Sequence, residues 1–142
     1  MDREYYIKKG FEPYAIMTAS DKYKQGIEIW YPSNPINSDN QPAVYVLMND
    51  AGKLLKVGET QNLTSRFHKG YRCISNTTND RIRTYVKEVE SIWVYILPMY
   101  IVKEKILGFQ CETSYTKGLE HHLLTEYKDH HNAVPPLNVY IK

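Results

Sequence analysis

Cysteine is nearly absent from this chain. The two present, Cys73 and Cys111, lie too far apart to make a disulfide framework or a zinc site, so a reducing cytoplasm is the expected setting. Long apolar runs are missing too: nothing approaches the roughly 20 consecutive apolar residues that a bilayer-spanning helix needs. The opening residues, Met1-Asp2-Arg3-Glu4-Tyr5-Tyr6, lack the apolar stretch of a secretory signal. Neither an internal repeat nor a low-complexity tract is found. What remains is one domain's worth of chain, 142 residues with 42% hydrophobic content. A chain of that length buries about 70% of its unfolded surface.

Net charge is only +2, but it is unevenly spread. Between Thr60 and Lys87 the charged residues are Arg66, Lys69, Arg72, Arg81, Arg83 and Lys87 against the single acid Asp80, so this segment is +5 and the rest is −3. Such asymmetry suits a polyanion partner; a solvated face is the plainer alternative. Tyrosine is over-used, at 13 residues. Tyrosines suit half-buried sheet surfaces and can also stack on nucleic acid.

Residues 1–42 are polar and aromatic. They include a turn-rich stretch, Pro32 to Asn40, and read as an N-terminal extension to a core domain from Ala43 to Lys142. Within the extension, Gly26 to Tyr31 alternates like a strand. Ala43 to Met48 and Leu54 to Val57 read as two buried strands joined at Asn49-Asp50-Ala51-Gly52. A four-residue loop sets Met48 opposite Lys53 and Tyr45 opposite Lys56, on one face of the sheet. A helix is expected from Thr60 or Asn62, with Leu63 and Phe67 as its buried stripe and Arg66 at the margin. A second helix carries Ile82, Tyr85, Val86 and Val89 at helical spacing, with Arg81, Arg83 and Lys87 off that stripe. A third strand runs from Ser91 to Leu97 and closes at Pro98. Tyr100 to Lys105 reads as loop or short helix, and Leu107 to Phe109 as a turn or short strand. The last helix, Thr116 to His130, has Leu123, Leu124 and Tyr127 as its apolar face, and Glu120 stands where that face predicts an apolar side chain. The fold class is therefore α/β, or α+β by stricter labels. It consists of a small, mainly antiparallel three-stranded sheet flanked by helices, with the N-terminal extension.

A Tyr, a Lys, an Arg and a core-facing Glu each fit phosphodiester hydrolysis, which needs an activated water, a cation near the scissile phosphate and stabilisation of the leaving oxyanion. Mg²⁺ rarely takes an all-protein cage, so one Glu with phosphate oxygens and waters suffices. Arg offers a fork for phosphate oxygens. A Tyr can act as base if a neighbouring cation lowers its pKa, and Lys56 is such a cation.

The run Ala43-Val44-Tyr45, followed by Lys56-Val57-Gly58-Glu59-Thr60-Gln61-Asn62-Leu63-Thr64-Ser65-Arg66, resembles the GIY-YIG nuclease signature. Thr60, Leu63 and Arg66 match the family's continuation at every spacing. Glu120, in Gly118-Leu119-Glu120-His121-His122, matches its metal-binding Glu. Pro135-Pro136-Leu137-Asn138 matches its C-terminal Pro-x-x-Asn element. The resemblance spans about residues 43–140. Two positions depart from it: Ala43-Val44 replaces Gly-Ile, and Lys56 replaces the Tyr of the second triplet, as in some restriction-type members.

The resemblance implies a DNA endonuclease dependent on Mg²⁺ or another divalent cation such as Mn²⁺. Tyr45 and Lys56 would activate water, Arg66 would bind the phosphate, and Glu120 would hold the metal. Gly58, Thr60, His68, Tyr71 and Asn138 are supporting candidates, Asn138 as a structural tie. Lys69, Arg72, Arg81, Arg83 and Lys87 would grip the DNA backbone, with residues 1–42 and 73–80 left for base readout. Cutting both strands would call for a homodimer. His121 and His122 point apart on a helix, and His130 and His131 sit at its end; surface roles fit all four. The rival readings are a catalytically inactive nucleic-acid-binding module and a general interaction domain. Each singled-out residue also has a plain structural reading: a core tyrosine, an edge lysine, an arginine on a surface acid, a first-turn glutamate.

Overall fold

The structure, a computed structural model, describes residues 1–31, 39–70 and 77–138, with 68–70 and 77–79 described in their backbone only. Tyr71, Arg72 and Cys73, and most of the Pro32 to Asn40 stretch, lie outside the described residues. A short helix α1 (Arg3–Lys8) is capped by the Asp2 side chain, which accepts the Tyr5 N–H at 3.2 Å. Strands β1 (Glu12–Ala19), β2 (Ile27–Trp30), β3 (Ala43–Met48) and β4 (Leu54–Thr60) follow. A π-helical turn (Thr64–Gly70), helix α2 (Thr77–Glu88), strands β5 (Ile92–Pro98), β6 (Val102–Ile106) and β7 (Phe109–Thr113), and helix α3 (Thr116–His131) complete the order.

The main sheet has five strands in the order β2-β1-β5-β3-β4, not three, and every pairing is antiparallel. The additional strands come from residues 12–30. β1 escaped sequence reading because the register shifts between Pro13 and Ala15, which breaks the period-two pattern. Tyr100 to Lys105 is neither loop nor helix but mostly β6. It pairs with β7 through a turn at Leu107 and Gly108, both at positive φ (52° and 82°), as a tight hairpin turn demands.

One face of the sheet carries Tyr45, Leu47, Leu55, Val94 and Ile96, packed against Leu63 just before the π-helical segment, Phe67 within it, and Ile82 and Val86 of α2. The other carries Val44, Val46, Val57 and Tyr95, packed against Tyr6 of α1 and Leu123 of α3. β3 is buried on both faces, as a continuous apolar run between two helical layers should be. α2 ends at Glu88, so Val89 is not the last member of its stripe but is 64% exposed.

The β3–β4 register differs from the one expected. Asn49 closes a longer loop: its N–H donates to the Lys53 carbonyl at 3.0 Å, and its side chain accepts the Lys53 N–H at 2.9 Å. A bulge follows at Leu55, so Met48 pairs with Leu54 and Leu47 with Lys56. Tyr45 therefore faces Gly58, not Lys56. The loop and the bulge each shift the register by one residue. Two shifts restore the original parity, so Tyr45 and Lys56 still share a face, as diagonal neighbours.

β4 forms one edge of the sheet, and chain from elsewhere closes that edge. The Leu137 N–H donates to the Leu55 carbonyl at 2.8 Å. The Asn138 amide accepts the Val57 N–H at 2.9 Å and donates to the Val57 carbonyl at 2.8 Å, as a neighbouring strand would. Asn138→Ala should cost about 1–3 kcal/mol, because it leaves two edge groups without partners. Urea denaturation measures that cost, and hydrogen exchange should show the Val57 amide opening faster; unchanged stability and exchange would refute the tie.

Candidate active site

Tyr45 is 1% exposed, with its ring edge-on to Phe67 at 5.1 Å between centroids. Its ring and hydroxyl lie directly over Gly58, where a Cβ would overlap both. Gly58 is thus the cavity wall that lets a tyrosine occupy a fully buried strand position. Lys56, two residues earlier on the same face, is 7% exposed, and its Nζ lies 6.0 Å from the Tyr45 ring centroid. That distance suits a cation interacting with an aromatic face.

Beyond β4 the chain turns through Thr60, whose Oγ accepts the Asn62 N–H at 3.1 Å and donates to the Asn62 carbonyl at 3.0 Å. The Asn62 side chain then accepts the Ser65 N–H at 3.2 Å, capping the π-helical segment. Leu63 and Phe67 are fully buried, and Arg66 between them is half-buried. A π-helical geometry is rare and widens the turn that presents Arg66.

Glu120 approaches from the opposite face of the sheet, on α3, and is half-buried. Burial pushes its carboxyl above the ordinary range, and the neighbouring Glu59 carboxylate pushes it further. The Lys56 and Arg66 charges and the Glu59 backbone N–H pull it part-way back. These couplings bring Lys56 and Arg66 from one face and Glu120 from the other to a single electrostatic neighbourhood around the β4 edge.

Glu59 was not singled out in the sequence. Alternation along β4 was the available signal: with Lys56 and Gly58 on the Tyr45 face, Val57 and Glu59 must face α3. Its carboxylate accepts the Thr116 hydroxyl at 2.8 Å. Two carboxylates with an unfavourable mutual charge are a donor set that a divalent cation relieves. Among the described residues there is no group of three or more His, Cys, Asp or Glu side chains that could cage an ion. Glu120, with Glu59 beside it, could hold a hard cation only if most of the cation's shell came from water and phosphate.

The remaining candidates are scattered. Arg81 and Lys87 are exposed on α2. Arg83, expected off the buried stripe, is instead 4% exposed and ion-paired with Asp80 one helical turn earlier, so it is not among the solvent-facing cations. The side chains of His68 and Lys69 lie outside the described residues. His122 approaches Glu126 at 3.5 Å, and His131 stacks on Tyr127 at 4.0 Å between centroids.

No protein-family model matches the chain, and no curated protein sequence matches it. Solved structures that share its architecture include two nucleases. One is a mutant of EndoII from bacteriophage T4, with a TM-score of 0.71 and 17% identity over 98% of this chain and 99% of that one. The other is the restriction endonuclease HPY188I in complex with product DNA, with a TM-score of 0.58 and 20% identity over 99% of this chain and 87% of that one. The chain has the fold of these two nucleases. At such identities the likeness concerns the fold, and the chemistry has to be argued from the residues above.

The raised Glu120 carboxyl has a consequence for stability. A group whose folded pKa lies above its unfolded value contributes stability that is full below the unfolded value and lost as pH rises through the folded one. Ionised Glu120 is therefore a burden on the fold near neutrality, and Glu120→Gln removes it. At about pH 7.5 this variant should be more stable than wild type in urea, and the gap should close as pH falls through the carboxylate range. A less stable variant at neutral pH would contradict the assignment.

Proposed function

We propose that this protein is a metal-dependent DNA endonuclease of the GIY-YIG type, in the variant that carries Lys56 where the second-triplet tyrosine is usual. One observation carries the reading: a buried Tyr–Lys pair, a half-buried arginine and a half-buried carboxylate converge on one strand edge, in a fold shared with two nucleases. The neighbour in complex with product DNA supports DNA as the substrate.

In this reading Tyr45 takes the proton of the attacking water. It does so as a phenolate whose own proton has gone to solvent, and it becomes the neutral phenol on accepting the water's proton; the Lys56 ammonium is the cation beside it before the transfer. Arg66 donates its paired N–H groups to non-bridging oxygens of the scissile phosphate. Glu120 would hold Mg²⁺ or Mn²⁺, which supplies charge stabilisation for the departing 3′ oxygen. Gly58 keeps the Tyr45 hydroxyl at the sheet edge, and Thr60 fixes the turn that leads to Arg66. The exposed cations Arg81 and Lys87, with Lys69 and Arg72 on the adjoining segment, bind the DNA backbone. Residues 1–42 pack on the core or contact DNA. Two copies acting together would cut both strands at a short sequence, as a restriction enzyme does. A protein that cuts loosely or by DNA structure has no such requirement, and sequencing the ends of cleaved DNA separates the two.

Plasmid nicking in Mg²⁺ tests the proposal. Glu120→Ala should slow cleavage severely while leaving a residual rate measurable above background. Tyr45→Phe should slow it by about 10²–10⁴-fold, the range for loss of a general base. Both variants should retain salt-sensitive DNA binding, since phosphate contacts on α2 are untouched. Wild-type protein that binds DNA without nicking it would favour an inactive binding module. Equal cleavage by Glu120→Ala would remove this carboxylate from the mechanism.

A further inference from the structure

Helix α3 begins in an unusual way. Its cap residue, Tyr115, has φ 58° and ψ 14°, and its side chain makes no capping hydrogen bond. A bulky residue in the left-handed region costs of order 1–3 kcal/mol and persists only where its surroundings hold it. Tyr115 is tied by its own N–H, which donates to Thr113 Oγ1 at 3.2 Å, and by its hydroxyl, which donates to Glu104 at 2.7 Å. The residues on either side, Ser114 and Thr116, are 6% and 1% exposed, and both hydroxyls face β4 and the residue just beyond it.

The hydrogen bonds run in one direction. The Ser114 hydroxyl donates to Gln61 Oε1 at 2.9 Å. Gln61 Nε2 donates to Thr116 Oγ1 at 2.7 Å. The Thr116 hydroxyl donates to Glu59 Oε2 at 2.8 Å, and Gln61 Nε2 also reaches that oxygen at 3.3 Å. A carboxylate can only accept, so it fixes the sense of every bond upstream, including which way the Gln61 amide points. Thr116 and Glu120 are four residues apart on α3 and so lie on one face. Both meet the same residue of β4: Thr116 binds the Glu59 carboxylate, and Glu120 faces the Glu59 backbone N–H.

We propose that this relay is a positioning clamp: Gln61, Ser114 and Thr116, anchored on Glu59, set where the Glu120 carboxylate sits against β4 and so determine its readiness for a divalent cation. The clamp rests on the reading of Glu120 as the metal-holding group. None of its side chains need touch the DNA.

The test compares Thr116→Val, which removes the hydroxyl at constant shape, with Thr116→Ser, which keeps it. Gln61→Leu is a second break in the relay should the valine variant fail to fold. On the metal-free full-length protein, hydrogen exchange at the Glu59 amide should be about tenfold faster in Thr116→Val and near wild type in Thr116→Ser. Mn²⁺ affinity, read by electron paramagnetic resonance, should fall about 10–100-fold in the valine and leucine variants, as when a partner that orients a metal ligand is lost. The kcat for nicking should fall with it, while KM for DNA changes by less than about twofold and the serine variant restores kcat. Folded Thr116→Val and Gln61→Leu proteins with wild-type amide exchange and Mn²⁺ affinity would overturn the clamp. A wild type that does not nick DNA would overturn the nuclease reading alone, and the amide and Mn²⁺ measurements would still decide for or against the clamp.

Discussion

An edge strand carries a row of unpaired N–H and C=O groups, and a fold has to close them, cover them or use them. β4 is such an edge, and among the described residues no further strand completes it. Instead the C-terminal segment binds Leu55 and Val57, and α3 brings a carboxylate to the N–H of Glu59. The outward row of β4 is therefore satisfied by side chains and by an irregular segment, at the position where the two faces of the sheet meet. That choice places groups from opposite sides of a buried sheet within electrostatic reach of one another. Tyr45 and Lys56 arrive from the face covered by the π-helical segment. Glu59 and Glu120 arrive from the α3 face, and Arg66 comes from the turn that leaves β4.

The charges at this edge are held in tension. Glu120 is half-buried next to another carboxylate, and two neighbouring cations offset that burden only in part. A fold selected for stability alone would place an apolar residue there, as the rest of the α3 face does with Leu123. Functional sites concentrate such unfavourable groups because preorganised charge is what lowers a barrier. The left-handed Tyr115 and the π-helical turn are two backbone departures in this region, and Gly58 is the small strand residue that leaves room for the Tyr45 ring. Tyr115 precedes the helix that carries Glu120, and the π-helical turn carries Arg66.

Much of this was legible in the sequence, though not always for the reason first given. The Tyr45–Lys56 relation was inferred from a direct pairing that does not exist. It survives because the longer Asn49 loop and the Leu55 bulge together shift the register by an even number. The buried positions of Leu63, Phe67, Ile82, Val86 and Leu123 followed from helical spacing. β1 was not legible, because Pro13 and a bulge hide its alternation. Nor was the β6–β7 hairpin, whose two strands are largely exposed and carry charges where a buried strand would show an apolar pattern. Arg83 looked like a surface cation because residues 73–80 read as a loop, whereas the helix already begins at Thr77 and places Asp80 one turn before it. Glu59 is the instructive omission. It sits inside the recognised stretch, but only the true extent of β4, reaching Thr60, makes its direction toward α3 evident.

The central claim is that Tyr45 and Glu120, from opposite faces, act as one site. The most direct measurement is the Mg²⁺-dependent plasmid-nicking rate of Tyr45→Phe combined with Glu120→Ala, beside each single variant. Groups that serve one transition state are strongly non-additive. The double variant should therefore be no slower than the worse single one. Losses that multiply would contradict a single shared site at the β4 edge.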